Sequence, residues 1–112
     1  MKPIRVLIVD DSPIVQSVLT SLLSAEPDIE VVGSASDPFE AKDLILKKRP
    51  DVITLDIEMP RMDGIAFLKR LMSFRPVPVI MISSYTRVNS LRTMEALDAG
   101  ALDFVAKPAG NV

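Results

Sequence analysis

Five short runs of aliphatic residues alternate along the chain with four longer stretches whose apolar residues recur at helical spacing. That alternation constrains the fold more than any other feature of the sequence. Ile4-Arg5-Val6-Leu7-Ile8-Val9 is β-branched and nearly continuous, as a strand buried on both faces requires. It stops at Asp10-Asp11-Ser12. Ser12 is placed to cap a helix and Pro13 to open it, and Ile14, Val15, Val18, Leu19, Leu22 and Leu23 then mark its apolar positions. Pro27 and Asp28 end that stretch, and Glu30 to Ala35 reads as an edge-like strand. Asp37 and Pro38 repeat the cap-and-proline signal for a second helix, with Phe39, Ala41, Leu44, Ile45 and Leu46 on its apolar side and Pro50 closing it. Asp51 to Asp56 is a third strand, followed by a loop from Ile57 to Gly64. A helix then runs from about Ile65 to Phe74, with Phe67, Leu68 and Leu71 inward. Val79 to Ile82 is the fourth strand, ending at Ser83-Ser84. A weaker helix covers roughly Val88 to Ala99 and is stopped by Gly100, and Ala101 to Ala106 is the fifth strand before Lys107-Pro108. Strands and helices in strict alternation predict an α/β fold, a doubly wound parallel sheet with right-handed crossovers.

What the chain lacks narrows its chemistry. It has no cysteine and no histidine, so thiol nucleophiles, disulfides, imidazole ligands and a Ser-His-Asp triad are all excluded. Its 13 basic and 15 acidic residues leave a net charge of −2, which gives no electrostatic footprint for nucleic acid. With 48% hydrophobic residues among 112, one core can be filled. No apolar run approaches the ~18 residues of a membrane span, so no membrane insertion and a cytoplasmic location are expected.

In open parallel sheets, ligands bind beyond the carboxyl ends of the strands. If the first, third, fourth and fifth strands are neighbours, Asp10, Asp11, Asp56, Ser83, Ser84 and Lys107 converge on one rim. Clustered carboxylates repel unless a cation offsets them, and an all-oxygen set favours a hard one, Mg²⁺ or Mn²⁺. A hydroxyl and an ammonium beside such a metal suit a tetrahedral oxyanion, and Asp56 can act as the nucleophile that gives an aspartyl-phosphate. Each residue alone has a plainer explanation. Asp10-Asp11-Ser12 can be an acidic helix start, Asp56 a loop cap, Lys107 a solvated strand end. Arg61 and Asp63 read as structural loop residues, and a strand end one residue later exchanges the roles of Ser83 and Ser84.

Taken together, the Asp10-Asp11 pair, Asp56 ahead of Glu58-Met59-Pro60-Arg61-Met62-Asp63-Gly64, Ser83, and Lys107-Pro108 resemble a two-component receiver domain over essentially the whole chain. Thr54 to Gly64, Met81 to Ser84 and Ala96 to Pro108 are similar to the receivers of the chemotaxis protein-glutamate methylesterases, the CheB family. The resemblance implies a flavodoxin-like sheet of order 2-1-3-4-5 and a unit over residues 1–108, with 109–112 a linker start or a truncated fifth helix. With that helix missing, apolar surface beside the fifth strand would be exposed or covered by something else. The resemblance further implies Asp56 as phosphoacceptor, and Asp11, Asp10 (largely through water), Asp56 and the Glu58 carbonyl as Mg²⁺ ligands. Ser83 and Lys107 would be the switch pair on the phosphoryl group, Phe104 the signalling aromatic, and Pro108 a cis-proline. The implied partners are a chemotaxis histidine kinase, a methylesterase domain in the parent chain and, through it, chemoreceptors. A stand-alone receiver acting by protein binding, a Mg²⁺-dependent aspartyl phosphatase and a receiver that never takes phosphate are the competing readings.

Overall fold

A computed structural model describes residues 2–59, 62–83 and 91–107. Its elements follow the sequence closely: β1 (Ile4–Val9), α1 (Pro13–Ser24), β2 (Ile29–Ala35), α2 (Pro38–Lys48), β3 (Val52–Asp56), β4 (Glu58–Met59), β5 (Met62–Asp63), α3 (Gly64–Phe74), β6 (Val79–Ser83), α4 (Leu91–Asp98) and β7 (Asp103–Ala106). The long strands form one parallel sheet in the order β2-β1-β3-β6-β7, which is the expected 2-1-3-4-5 once the small β4–β5 hairpin is set aside. That hairpin lies where the sequence reading had only a loop. Two-residue strands carry no period to read; here Glu58 pairs with Asp63 and Met59 with Met62.

The helix starts are locally encoded. Ser12 sits in extended backbone and accepts from the Val15 N–H, Asp37 accepts from Phe39 and Glu40, and each is followed by proline at the first helical position. Asp63 caps α3 through the Ile65 N–H. α2 ends where Arg49 turns left-handed (φ 47), and the Arg5 guanidinium donates to the Lys48 and Arg49 carbonyls. Gly100 takes φ 118 after α4, a conformation that favours glycine.

The two faces of the sheet are not equally covered. Leu7, Val9, Ile53, Leu55, Val79, Met81 and Phe104 pack under α2, α3 and α4 as the main core. On the other face, Val6, Ile8 and Ile82 meet Leu19 of α1, the one helix there among the described residues. Ile80 and Val52 stay half-buried and Val105 exposed on that side. The apolar stripes of the helices are wider than the fold buries. Ile14, Val18 and Leu22 of α1 are exposed, and so are Phe39 and Leu46 of α2, both of which the sequence reading had turned inward. α2 buries Pro38, Ala41 and Ile45, and Phe39 and Leu46 belong to the next stripe round.

Candidate functional site

The ends of β1, β3, β6 and β7 lie side by side, so residues far apart in the chain meet at one rim. Asp10 follows β1 and is 1% exposed; Asp56 ends β3 and is 4% exposed; Asp11 stands in solvent beside them. Carboxylate oxygens of all three lie within 4.8 Å of one another. Lys107 follows β7 and reaches back across the rim, its Nζ 3.3 Å from Asp10 Oδ2 and 3.4 Å from Asp56 Oδ1. Its backbone N–H donates to the Ser83 carbonyl at 2.6 Å, which ties the ends of β6 and β7 together. Ser83 is buried and is the last residue of β6, one residue beyond the Ile82 expected from the sequence; Ser84 lies outside the described residues.

The loop after β1 is braced from three directions. Asp10 Oδ1 accepts from the Ser12 N–H at 2.9 Å, and the Asp10 N–H donates to the Ala35 carbonyl. Gln16 of α1 donates from Nε2 to the Asp10 carbonyl at 2.6 Å and to the Ala35 carbonyl at 3.2 Å. Sequence reasoning passed over Gln16, whose one signal is an amide amid the aliphatic residues of α1. Arg92 of α4 was also missed. It forms ion pairs with Asp63 and Glu95 and shares with Asp11, Glu58 and Asp63 the lining of a cleft of ≈ 600 Å³. Asp63 is therefore more than a loop residue: it caps α3 and holds α4.

Burial and the neighbouring Asp10 charge push the Asp56 carboxyl up from 3.8 to about 7, against the attraction of Lys107 and a hydrogen bond from the Glu58 backbone. Burial opposes the charge on Lys107, but Asp56 and Asp10 outweigh it and hold the ammonium above its ordinary range. One ammonium among three carboxylates leaves the rim negative. Among the described residues nothing but that ammonium meets Asp10 Oδ2, a buried oxygen with no hydrogen-bond donor. An all-oxygen cluster in which one ammonium serves several carboxylates fits a hard divalent cation, and among the described residues Asp10, Asp11 and Asp56 are the side chains able to hold one. Glu58 is exposed in β4 at the edge of the same cleft. Phe104 does not reach the rim; it is buried beneath it, in register with Met81. Pro108 lies outside the described residues.

The sequence profile of the response regulator receiver domain matches residues 6–111. The chain belongs to the response regulator receiver family. A protein-glutamate methylesterase/protein-glutamine glutaminase of Syntrophotalea carbinolica is 54% identical to this receiver over 99% of its length, which is 31% of that protein. The response regulator domain of Thermotoga maritima CheB superposes with a TM-score of 0.90 at 47% identity, covering 99% of this receiver and 83% of that chain. A chain of the CheX–CheY–BeF₃–Mg²⁺ complex from Borrelia burgdorferi gives 0.85 at 36% identity, over 96% of this receiver and 80% of that chain. The receiver thus spans about a third of the length of the curated relatives it matches. Among its described residues, no helix is long and apolar enough to cross a membrane.

Proposed function

We propose that this receiver is a phosphoacceptor switch of a chemotaxis system, with Asp56 as the residue phosphorylated. The observation that carries this reading is the placement of a buried Asp56 carboxylate between the Asp10-Asp11 pair and the Lys107 ammonium. An Asp56 oxygen attacks the phosphorus of a phosphohistidine on a partner kinase. An O–P bond forms, the P–N bond breaks, and the leaving imidazole takes a proton. Asp10, Asp11, Asp56 and the Glu58 carbonyl would hold Mg²⁺, which offsets the charge of the incoming phosphoryl oxygens. Lys107 exchanges its contact with Asp56 for one with a phosphoryl oxygen, and the Ser83 hydroxyl donates to another. Both lie at the ends of β6 and β7, so their movement reaches Phe104 and the surface of α4 and β7.

The relatives extend well beyond the matched part, which supports a downstream methylesterase domain as the output in preference to a stand-alone receiver. On this reading residues 1–108 form the receiver unit, and 109–112 are a linker start or a truncated fifth helix. The partners are a cytoplasmic histidine kinase and, through the parent protein, chemoreceptors. The BeF₃–Mg²⁺ complex of the Borrelia relative supports the same chemistry here.

With Mg²⁺ and acetyl phosphate, intact mass spectrometry should show a single labile phosphoryl adduct, absent from Asp56→Asn. Repeated turnover of small phosphate esters would point to a phosphatase instead, and the absence of any adduct would remove the proposed role.

A further inference from the structure

α2 and α3 carry stripes of the same spacing. On α2, Phe39, Lys42 and Leu46 fall at i, i+3 and i+7; on α3, Phe67, Arg70 and Phe74 do the same. Each stripe is apolar at both ends and cationic in the middle. Between the helices lies a groove of ≈ 360 Å³ with Ile45, Phe67 and Leu71 along its floor and Phe39 and Phe74 on its rims. The rim rings are large and left in water, 64% and 63% exposed. Lys42 Nζ stands 5.8 Å from the Phe74 ring centroid.

Elsewhere on α2 and α3, Lys47 is paired with Asp43 and Lys69 with Glu95, while Lys48 makes no ion pair among the described residues. Lys42 and Arg70 make no ion pair among the described residues, and no carboxylate lines the groove. A protein with net charge −2 therefore carries an apolar trough flanked by two cations that have no ion-pair partner among the described residues. An open trough with a single neutral polar side chain, Ser73, offers little to orient a small molecule, whereas an apolar floor with an exposed ring on each helix suits the apolar face of a docked helix.

We propose that the α2–α3 groove docks an acidic amphipathic helix of a partner protein. The apolar ridge of that helix would lie between Phe39 and Phe74, and its carboxylates would meet Lys42 and Arg70 at mid-groove. None of Asp10, Asp11, Asp56 and Lys107 lines this groove, although Met62 borders both it and the cleft beside Asp11.

The test uses ¹⁵N-labelled receiver and two helix-stapled peptides of about 14 residues, each with leucines at i, i+3, i+4 and i+7. One carries glutamates beside the ridge and the other lysines. The glutamate peptide should shift the amide signals of Phe39, Lys42, Arg70 and Phe74 and bind roughly tenfold or more tightly than the lysine peptide. The surface double variant Lys42→Glu/Arg70→Glu should keep a dispersed spectrum and reverse that preference. Equal binding of both peptides, or shifts confined to the exposed Leu91, Met94 and Leu97 of α4, would overturn the proposal. So would no binding at millimolar peptide, or concentration-dependent shifts at the groove without peptide, which would make the occupant a second copy.

Discussion

Gly64→Ala should unfold the protein at temperatures where the wild type is fully native. Gly64 opens α3 and is buried directly against the end of β3. A Cβ placed there would fall on the Asp56 carbonyl oxygen, and it would lie 2.7 Å from the Ile57 carbonyl oxygen and 2.8 Å from Ile57 Cα. All three are backbone atoms, so no rotamer change relieves the overlap. Neither partner segment can withdraw cheaply. Asp56 is held in the sheet beside Ile82 of β6, Ile57 is 3% exposed, and the Gly64 N–H itself donates to the Ile57 carbonyl. A core overlap of this kind costs about 4 kcal/mol or more. For a domain of this size that corresponds to a fall of roughly 15–30 °C in melting temperature. Gly33→Ala is the control: its Cβ would sit 3.6 Å from Leu7 and 3.7 Å from Leu44, which is ordinary contact. Thermal unfolding followed by circular dichroism separates the two. A Gly64→Ala variant melting within a few degrees of wild type would show that the backbone at Asp56 and Ile57 yields to a Cβ at this position.

Asp56→Asn should stabilise the protein above neutral pH in the absence of divalent metal. The Asp56 carboxyl is raised from 3.8 to about 7 in the folded protein, so between those values the folded state holds a proton that the unfolded chain has lost. Stability from this group is therefore greatest below pH 4, falls as pH rises towards 7, and stays low above it. The full span amounts to roughly 4 kcal/mol, as an upper figure for a carboxylate so closely coupled to Asp10 and Lys107. Asparagine keeps the shape of the protonated acid and cannot ionise. Its advantage should thus be about 2 kcal/mol or more larger at pH 8 than at pH 5, read from urea unfolding in EDTA. Mg²⁺ at pH 8 should narrow the gap by stabilising the wild type more than the variant. An asparagine variant no more stable than wild type at pH 8 would mean that the Asp56 charge is accommodated without strain.

Much of this arrangement was legible in the sequence because it is encoded locally. Ser12-Pro13 and Asp37-Pro38 announce two helix starts through side-chain capping and a fixed φ, and both appear in the structure. The strand ends at Asp10, Asp56, Ser83 and Lys107 follow from where aliphatic runs stop. Their convergence does not follow from spacing; it needs β1, β3, β6 and β7 to be neighbours, which only the topology supplies. The β4–β5 hairpin is too short to carry a pattern. Gln16 and Arg92 act on groups distant in sequence, to which no local rule points. The inward placing of Phe39 and Leu46 failed for a different reason. An apolar side chain states a preference for burial, but the helix orientation that buries Ala41 and Ile45 leaves the next stripe in water.

The claim that Asp56 accepts the phosphoryl group is tested most directly by locating it. After incubation with Mg²⁺ and acetyl phosphate, borohydride reduction converts an aspartyl-phosphate to homoserine, and tandem mass spectrometry of the digested protein reads the position. Homoserine at residue 56 alone, and none when EDTA replaces Mg²⁺, is the predicted result. Homoserine at residue 10 or 11, a stable phosphate on Ser83, or no modification under either condition would contradict it.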